Sequence, residues 1–429
     1  MEADSTENTS RSKGRVDGLP GRRTLKNRLL SAVARKTSSG RLLPEIDGLR
    51  TVAILLVIFY HVQGFIDGQN AYTHPFTPSE DFFRTLINRG SFGVQVFFAI
   101  SGFIIALPFV THFASGSKPV KLKDFYLRRV TRLEPPYIIN MLVNCVIKAF
   151  ADHMPLMVIG GHFLAGLIYS HNIIYGIHNK LNEALWSLEV EFQFYFLAPL
   201  FLLAFKIKPP VLRRLVLIAP IVALIVLRPE TWRIDKSLIG KAEFFFVGIL
   251  LTDIFVNNWK SVMPRKRHFD FIAALGWLGF FYCIYLPDNR ITYLLRPIFL
   301  FLAFVGSIGG RFFSAIFRNP WISAFGGMCY TVYLYHSNII SIAIRATKSH
   351  TASSSYFVTY FEQLVINLVP IVLISTLLFI FLEKPFMDKD WPKNLWRRIT
   401  SWFKPNPVAR NRELAVSPAS STTDSKGAR

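Results

Sequence analysis

The chain has 429 residues, of which 51% are hydrophobic and 15% aromatic, and its formal net charge is +22. Apolar runs of about twenty residues follow one another along the chain, which excludes an ordinary soluble domain. The Lys and Arg residues lie mostly between these runs, which argues against a nucleic-acid-binding protein. Three cysteines, Cys145, Cys283 and Cys329, lie in or beside apolar segments without metal-ligand spacing.

About ten apolar segments are long enough to cross a bilayer, so the sequence predicts an all-α, polytopic membrane helical bundle. Most of the 49 Lys and Arg residues lie in the two tails and in alternate loops. Because positively charged loops stay in the cytoplasm, this distribution predicts that the amino and carboxy termini are both cytoplasmic. The predicted spans cover residues 47–65, 91–113, 136–152, 183–205, 213–228, 240–257, 269–286, 291–309, 321–345 and 359–382.

Three regions are expected along the chain. Residues 1–43 form a polar tail, residues 44–386 the transmembrane domain, and residues 387–429 a basic, partly disordered tail. One further apolar stretch, residues 156–178, is short and interrupted by glycines, so it is interpreted as re-entrant or interfacial on the outer side. If it were an eleventh span, the orientation of everything after it would be inverted.

The first predicted span reads PEIDGLRTVAILLVIFYHVQGF and carries two ionisable residues, Arg50 and His61. At about 1.5 Å of rise per residue they lie roughly 16 Å apart along a helix, which is about half a bilayer core. Ionisable groups at such depth are costly and are usually kept for a function. The pair therefore indicates a functional site.

The second span and the segment that follows it carry two further motifs. The glycines and serines of GSFGVQVFFAISGFII, residues 90–105, fit either close helix packing or a cavity wall. The next segment, KLKDFYLRRVTRLEPPY, holds Arg128, Arg129 and Arg132 at helical spacing. Arg128 and Arg132 would share one helix face and suit a phosphate group, although ordinary cytoplasmic anchoring residues would look the same.

Two later spans bring ionisable side chains to the outer half of the membrane. The fourth span opens with Glu183, Glu189 and Glu191, and the ninth carries His336 within GGMCYTVYLYHSNII. Counting helix rise from the predicted boundaries places Glu191 and His336 roughly level with His61. Their shared depth favours a functional cluster over isolated helix–helix hydrogen bonds.

Together these motifs resemble the acyltransferase-3 family, integral-membrane, acyl-CoA-dependent O-acyltransferases that modify surface polysaccharides, lipopolysaccharide, peptidoglycan and related carbohydrates. The resemblance covers residues 45–386, with the motifs in the family's order and spacing. The motifs are DGLR at 47–50 with His61 after it, GVQVFFAISGFII at 93–105, FYLRRVTRLEPPY at 125–137, WSLEVEFQFYFLAPL at 186–200, YTVYLYH at 330–336 and LEKPF at 382–386.

The resemblance implies a catalytic group in which His61 is the base, assisted by Glu191 or His336. Three positions depart from the family's common pattern: Gln95 stands where many members have Asp, and Glu189 and Phe192 replace the commoner Ser and Glu around the WSL motif. These departures leave open which acidic group assists the base. The family's frequent carboxy-terminal hydrolase-like domain is not expected, which implies a membrane-domain-only member.

The resemblance also implies the binding residues. Arg50 would support the donor, while Arg128, Arg129 and Arg132 form the family's inner basic motif. No metal is expected, because no ligand cluster argues for one, and the irregular spacing of the outer-loop histidines favours a wet loop over zinc. Candidate substrate-binding residues are Ser101, Trp186, Tyr330 and Tyr335.

The expected function is a multi-pass O-acyltransferase of the cell inner membrane. It would move an acyl group, acetyl or possibly succinyl in the family's range, from cytoplasmic acyl-CoA to a hydroxyl of a polysaccharide, oligosaccharide or glycolipid. No nucleic-acid partner is expected. Two alternatives stay open: a glycolipid transporter or flippase that uses His61, Glu191 and His336 as a proton relay, and a membrane scaffold or sensor that tolerates substitution at all three positions.

Overall fold

The computed structural model describes residues 25–35, 43–227, 231–351 and 353–388, and the single residues Trp391, Lys393, Arg397 and Thr400. Within these residues the chain is helical, with no β-strand. The all-α polytopic membrane bundle predicted from the sequence is confirmed. Most of the two predicted tails, 1–43 and 387–429, lies outside the described residues.

The described helices are numbered in chain order, with short 3-10 and π-helical segments between some of them. They are α1 (Leu25–Val33), α2 (Pro44–Gly68), α3 (Pro78–Asn88), α4 (Gly93–Ser115), α5 (Leu122–Phe150), α6 (Leu156–Leu167), α7 (His171–Tyr175), α8 (Leu185–Phe201), α9 (Pro210–Val226), α10 (Trp232–Asp235), α11 (Ala242–Asp253), α12 (Arg267–Tyr285), α13 (Arg290–Gly309), α14 (Phe312–Phe317), α15 (Pro320–Gly327), α16 (Cys329–Thr347), α17 (Tyr356–Leu378) and α18 (Lys384–Phe386).

Every predicted span contains at least one helix, but the helices differ in length and polarity. Four of the ten predicted spans coincide with α5, α9, α11 and the pair α15 and α16. These helices are shorter or more polar than the helices of the other six spans. The predicted number of ten therefore stays a prediction. Within the described residues, six helical stretches are long and apolar enough to cross a membrane: Pro44–Gly68, Pro78–Ser115, Leu185–Lys206, Arg267–Tyr285, Arg290–Gly309 and Tyr356–Phe386.

Helix α5 is longer than the span predicted from residue 136. It begins at Leu122 and continues through Pro135 and Pro136, so the basic motif and the apolar segment form one helix. A proline cannot donate to the carbonyl four residues earlier, which would leave the Thr131 oxygen without its helical partner. The indole N–H of Trp391 donates to that oxygen at 3.0 Å. This contact from the carboxy-terminal segment satisfies the carbonyl oxygen that Pro135 leaves without a partner.

The span predicted at residues 321–345 is divided into α15 and α16, with Met328 between them. The division follows from close packing on α2. A Cβ atom at Gly326 would lie 1.7 Å from the carbonyl oxygen of Asp47, so only glycine lets the two backbones approach this closely. The break places the start of α16 beside the charged end of α2.

Helix α4 packs against α2 and α11 through its glycines. A Cβ atom at Gly102 would lie 2.1 Å from the carbonyl oxygen of Phe245 on α11. A Cβ atom at Gly93 would lie 2.4 Å from the carbonyl oxygen of Ala53 on α2. The glycines of the second span therefore serve helix packing, as small residues do in membrane bundles.

Residues 156–178 form two short helices, α6 and α7. Helix α6 has 12 residues and is about 18 Å long, which is too short to cross a hydrocarbon core of about 30 Å. This length agrees with the interpretation of the segment as re-entrant or interfacial.

Candidate functional site

Arg50 lies near the start of α2 in a cluster of charges. It forms a short ion pair with Asp47, one turn earlier on the same helix. The guanidinium of Arg35, from the chain after α1, lies 3.4 Å from the same carboxylate oxygen. Two arginines therefore share one buried carboxylate. We call the region around Arg50, Arg35 and the arginines of α5 the basic end of the bundle.

The three arginines of α5 have different surroundings. Arg128 is exposed, and Arg129 lies over the Phe125 ring at 3.6 Å and donates to the Phe125 carbonyl oxygen at 2.9 Å. Among the described residues neither pairs with a carboxylate. Arg132 lies 3.4 Å from Glu383, whose other oxygen accepts from the backbone and hydroxyl of Thr331.

A cavity of about 720 Å³ starts at the basic end. Exposed Lys118 and Arg128 line its mouth, and along α4 its lining extends from Thr111 to Val94, which is about 26 Å of helix rise. Cations outnumber carboxylates on its walls, so the cavity suits an anionic ligand. Its charged lining residues are Arg35, Asp47, Arg50, Lys118, Arg128, Arg129, Arg132 and Glu191.

Halfway along the cavity, Glu191 forms a polar cluster on α8. It accepts short hydrogen bonds from the hydroxyls of Ser101 and Tyr195. Ser101 thus faces the cavity, while its neighbour Gly102 packs on α11. Tyr330, another predicted substrate-binding residue, also lines the cavity and donates to the Leu133 carbonyl oxygen at 2.7 Å.

His61 pairs with His336 and not with Glu191. The Nε2 atom of His336 lies 3.3 Å from the Nδ1 atom of His61, and the ring centroids are 4.7 Å apart. His336 is fully buried, and its Nδ1 atom contacts the carbonyl oxygens of Val332 and Tyr333 at 3.1 and 2.8 Å. The Nδ1 atom of His61 lies 2.8 Å from the Val57 carbonyl oxygen.

These contacts assign the ring protons. A carbonyl oxygen only accepts, so Nδ1 carries the proton in both rings. The Nε2 atom of His336 is then a free acceptor that faces the Nδ1 proton of His61. The Nε2 atom of half-buried His61 keeps its lone pair and is available as a base.

The far end of the cavity lies about one helical turn from His61. Gly93 packs on α2, where its Cβ position would lie 3.1 Å from a methyl group of Val57. Its neighbour Val94, at the end of the cavity lining, is therefore level with the residue whose carbonyl holds His61.

Tyr333 lies between the cavity and the histidine pair. Its ring lines the cavity, and the ring centroid lies 5.6 Å from that of His336. Its hydroxyl donates to the Ala184 carbonyl oxygen at 3.0 Å and shares a short hydrogen bond with Ser187. Tyr333 thus contacts both the cavity and His336, and Ser187 lines the cavity beside its hydroxyl.

Trp186 and Tyr335, both predicted to bind substrate, are not among the residues that line this cavity. The Trp186 ring packs against Phe98, and the Lys236 ammonium lies 4.3 Å from its centroid. Tyr335 is 8% exposed, and its hydroxyl has no hydrogen-bond partner within the described chain.

Within the described residues, none of the three departures from the family pattern forms a hydrogen bond with His61 or His336. Glu189 is fully buried, and one of its oxygens accepts from the Asn172 backbone at 2.9 Å. Phe192 stacks on Tyr169 with the ring centroids 4.0 Å apart. The side-chain oxygen of Gln95 is buried, with no partner among the described residues.

Two outer-loop histidines form a second pair, on α6 and α7. The Nδ1 atom of His162 lies 2.6 Å from the Nε2 atom of His171, and Tyr175 packs against both rings. Burial, together with the positive charges of His162 and His178, lowers the pKa of His171 to about 4. Across the part of the chain that the structure describes, no three His, Cys, Asp or Glu residues come together as a metal site.

Sequence reasoning missed several residues at the cavity. Arg35 belongs to the region read as a polar tail, and Ser187 and Tyr195 sit between more conspicuous motif residues. Glu383 lies in the LEKPF motif, but nothing in that motif indicates a partner on α5. The amphipathic pattern of LKNRLLSAV was the available signal for α1, since its leucines recur at helical spacing.

Residues 43–382 match the model of a family described as an acyltransferase domain. The peptidoglycan O-acetyltransferase OatA of Listeria monocytogenes is 27% identical over 334 residues, 71% of this chain and 50% of that protein. A putative peptidoglycan O-acetyltransferase of Bacillus subtilis is 23% identical over 395 residues, 85% of this chain and 58% of that protein. A putative O-acetyltransferase of Staphylococcus aureus is 22% identical over 393 residues, 83% of this chain and 59% of that protein.

The chain thus spans between half and three-fifths of the length of these curated relatives. No solved structure matches it.

Proposed function

The chain belongs to the acyltransferase-3 family, and on that premise we propose that it transfers an acyl group from acyl-CoA to a carbohydrate hydroxyl across the membrane. The names of the relatives support acetyl as the acyl group and a surface carbohydrate such as peptidoglycan as the acceptor. The observation that carries the proposal is the basic cavity whose lining includes Tyr333, because the Tyr333 ring packs against His336, the partner of His61; neither histidine itself lines the cavity.

The cavity supports the acyl-CoA part of the proposal. Acyl-CoA carries phosphate groups at one end and its thioester at the other, so its site needs cations and reaction chemistry at different depths. Arg128 and Arg129 have no carboxylate partner within the described residues, which leaves them available for phosphate. With the basic loops in the cytoplasm, as the charge distribution predicts, this mouth opens toward the compartment that supplies acyl-CoA.

His61 is the proposed general base. Its Nε2 lone pair takes the proton of the acceptor hydroxyl while the hydroxyl oxygen attacks the thioester carbonyl carbon. The tetrahedral intermediate then collapses, the C–S bond breaks, and the leaving thiolate takes the proton from His61. The products are an O-acyl ester and free CoA, and no other reactant is needed.

His336 acts in this scheme as a positioning residue. Its Nε2 atom shares the Nδ1 proton of His61 with the Val57 carbonyl oxygen, and together the two acceptors orient the ring and hold the tautomer that leaves Nε2 basic. Glu191, bonded to Ser101 and Tyr195, is proposed to shape the donor cavity. This separation also counts against a proton relay that links all three ionisable residues in a transporter.

The acceptor is proposed to approach from the end of α2 that holds His61. Trp186 is a candidate sugar platform on that side, because an aromatic ring beside a cation suits a polar, ring-shaped ligand. Tyr335 stays a candidate for substrate binding without a contact that supports a specific role.

The test is acetyl transfer by the purified full-length protein in proteoliposomes, whose two membrane faces are separate compartments. Radiolabelled acetyl-CoA and peptidoglycan fragments are supplied on opposite faces, and both free CoA and labelled carbohydrate are measured. We expect the two products to form in equal amounts. A protein that moves carbohydrate across the bilayer without consuming acetyl-CoA would be a transporter, and the proposal would fail.

A further inference from the structure

The chain before the first membrane helix contributes a side chain to the cavity. Helix α1 and Arg35 lie outside residues 43–382, which match the family model. Lys384 donates to the carbonyl oxygens of Ser31 and Ala32 at 3.0 and 2.6 Å, which fixes the end of α1 against the start of α18. Arg35 follows directly and lines the cavity.

The side chain of Arg35 is 13% exposed, and its contacts leave it short of acceptors. Its only carboxylate neighbour in the described chain, Asp47, is already held by Arg50 in a shorter ion pair. The Nε–H group of Arg35 is buried and has no hydrogen-bond partner there. A buried, unpartnered donor costs free energy unless a ligand supplies the acceptor.

Arg132 also lines the cavity, and its guanidinium is likewise short of acceptors. Its guanidinium reaches Glu383 at 3.4 Å, but its Nε–H group is also buried without a partner in the described residues. Burial, followed by repulsion from Arg50 and Arg132, lowers the pKa of Arg35 to about 9, so the side chain remains charged at neutral pH. Among the described residues, the guanidinium groups of Arg35, Arg50 and Arg132 therefore have only Asp47 and Glu383 as carboxylate partners.

We propose that α1 is part of the donor site and that Arg35, together with Arg132, binds a phosphate group of the acyl donor. A phosphate presents several acceptor oxygens and negative charge, which matches two unpartnered guanidinium donors and their mutual repulsion. The inference deepens the proposed function and rests on it, since acyl-CoA is the phosphate-bearing donor. It assigns a binding role to a segment that precedes the matched domain.

The test uses the purified full-length protein with coenzyme A as the probe, titrated by calorimetry. We compare Arg35→Gln, Arg35→Lys and the control Lys123→Gln. Lys123 is exposed on the first turn of α5, near the same end of the bundle, and does not line the cavity. Its substitution removes the same charge, so it controls for general electrostatic attraction.

We expect Arg35→Gln to raise the Kd for coenzyme A about tenfold. Arg35→Lys should raise the Kd less, and Lys123→Gln should leave it near the wild-type value. In turnover, Arg35→Gln should raise the KM for acetyl-CoA while kcat stays within about twofold. A purely structural role would instead lower Tm in all conditions and leave Kd unchanged.

Two outcomes separate the two proposals. If the wild type binds coenzyme A and Arg35→Gln binds it equally or more tightly, the role of Arg35 is refuted while the proposed function stands. If the wild-type protein binds no coenzyme A, the acyl-CoA proposal itself fails, and the assignment of Arg35 fails with it.

Discussion

The Nε2 atom of His336 lies 3.3 Å from the Nδ1 atom of His61, so the residue beside the proposed base is another histidine. Two carbonyl contacts hold the His336 proton on Nδ1, which leaves its Nε2 atom as a neutral acceptor. Within the described residues, the hydrogen-bond partners of the proposed base are therefore a histidine and a backbone carbonyl, not a carboxylate. This pairing makes the roles of the two histidines separable by mutation.

Replacing the proposed base should abolish transfer without unfolding the protein. His61→Ala removes the Nε2 lone pair, and a positioned general base contributes about 10²- to 10⁴-fold to the rate. We expect kcat for acetyl transfer to fall by that range, measured as labelled carbohydrate formed in proteoliposomes, with Kd for coenzyme A unchanged.

His350→Ala is the matched control for this experiment. His350 is exposed, three residues beyond the end of α16, the helix that carries His336. It should leave both kcat and Tm at wild-type values. Substantial acetyl transfer by His61→Ala in a correctly folded protein would remove His61 from the mechanism.

The acetyl-transfer activity of His336 variants should follow the ability of the new side chain to accept a hydrogen bond. His336→Leu removes one of the two acceptors that face the Nδ1 proton of His61 and leaves the Val57 carbonyl oxygen at 2.8 Å. We therefore expect kcat to fall several-fold while the KM for acetyl-CoA stays unchanged. His336→Gln offers an amide oxygen and should retain more activity. Steady-state kinetics decide this, and equal losses in the two variants would contradict the positioning role.

The arginines of α5 should separate into a binding residue and one that also supports the fold. Arg128 is exposed without a carboxylate partner in the described chain, so Arg128→Ala should raise the KM for acetyl-CoA several-fold and leave Tm unchanged. Arg132→Ala removes the cation beside fully buried Glu383, so it should raise KM and also lower Tm.

Kinetics and thermal unfolding of both variants test this difference. An unchanged KM for acetyl-CoA in both variants would return both residues to a role as membrane anchors. A Tm loss in Arg128→Ala equal to that in Arg132→Ala would contradict the assignment of Glu383 as the structural partner.

The His162–His171 pair should make stability depend on pH. The pKa of His171 is lowered to about 4 by burial and the neighbouring histidines, whereas an unfolded histidine titrates near 6.5. The unfolded state therefore binds the proton first, and this contribution to stability is complete above pH 6.5 and is lost as pH falls toward 4.

We expect Tm to drop over that interval and the drop to be smaller in His171→Phe. His153→Gln is the control, because His153 is exposed on the loop that precedes α6. It should follow the wild-type pH profile. If His171→Phe loses as much Tm as the wild type between pH 6.5 and 4, buried His171 does not control acid stability.

Much of the fold could be predicted because apolar length and charge distribution act locally. The first span, the packing glycines of α4 and the short outer helices all follow from hydropathy, helix rise and the size of glycine. The continuation of α5 through Pro135 and Pro136 was not predictable, because the compensating donor, Trp391, lies far along the chain.

The candidate site could be predicted only in part. The arginines of α5, Arg50, Ser101 and Glu191 do line one cavity. The partner of His61 was left open between Glu191 and His336, and Arg35 was not anticipated at all. Each of these depends on a contact between segments that are distant in sequence.

By itself, the sequence determined the membrane class and the family motifs, and it predicted a depth for each ionisable residue. Depth follows from a fixed rise per residue along a helix of known start. The tertiary structure decided which side chains meet at that depth, since rotation about each helix axis and the packing between helices are set by distant contacts. That is why His61 faces His336, while Glu191 was wrongly predicted to be level with them and lies halfway along the cavity against Ser101 and Tyr195.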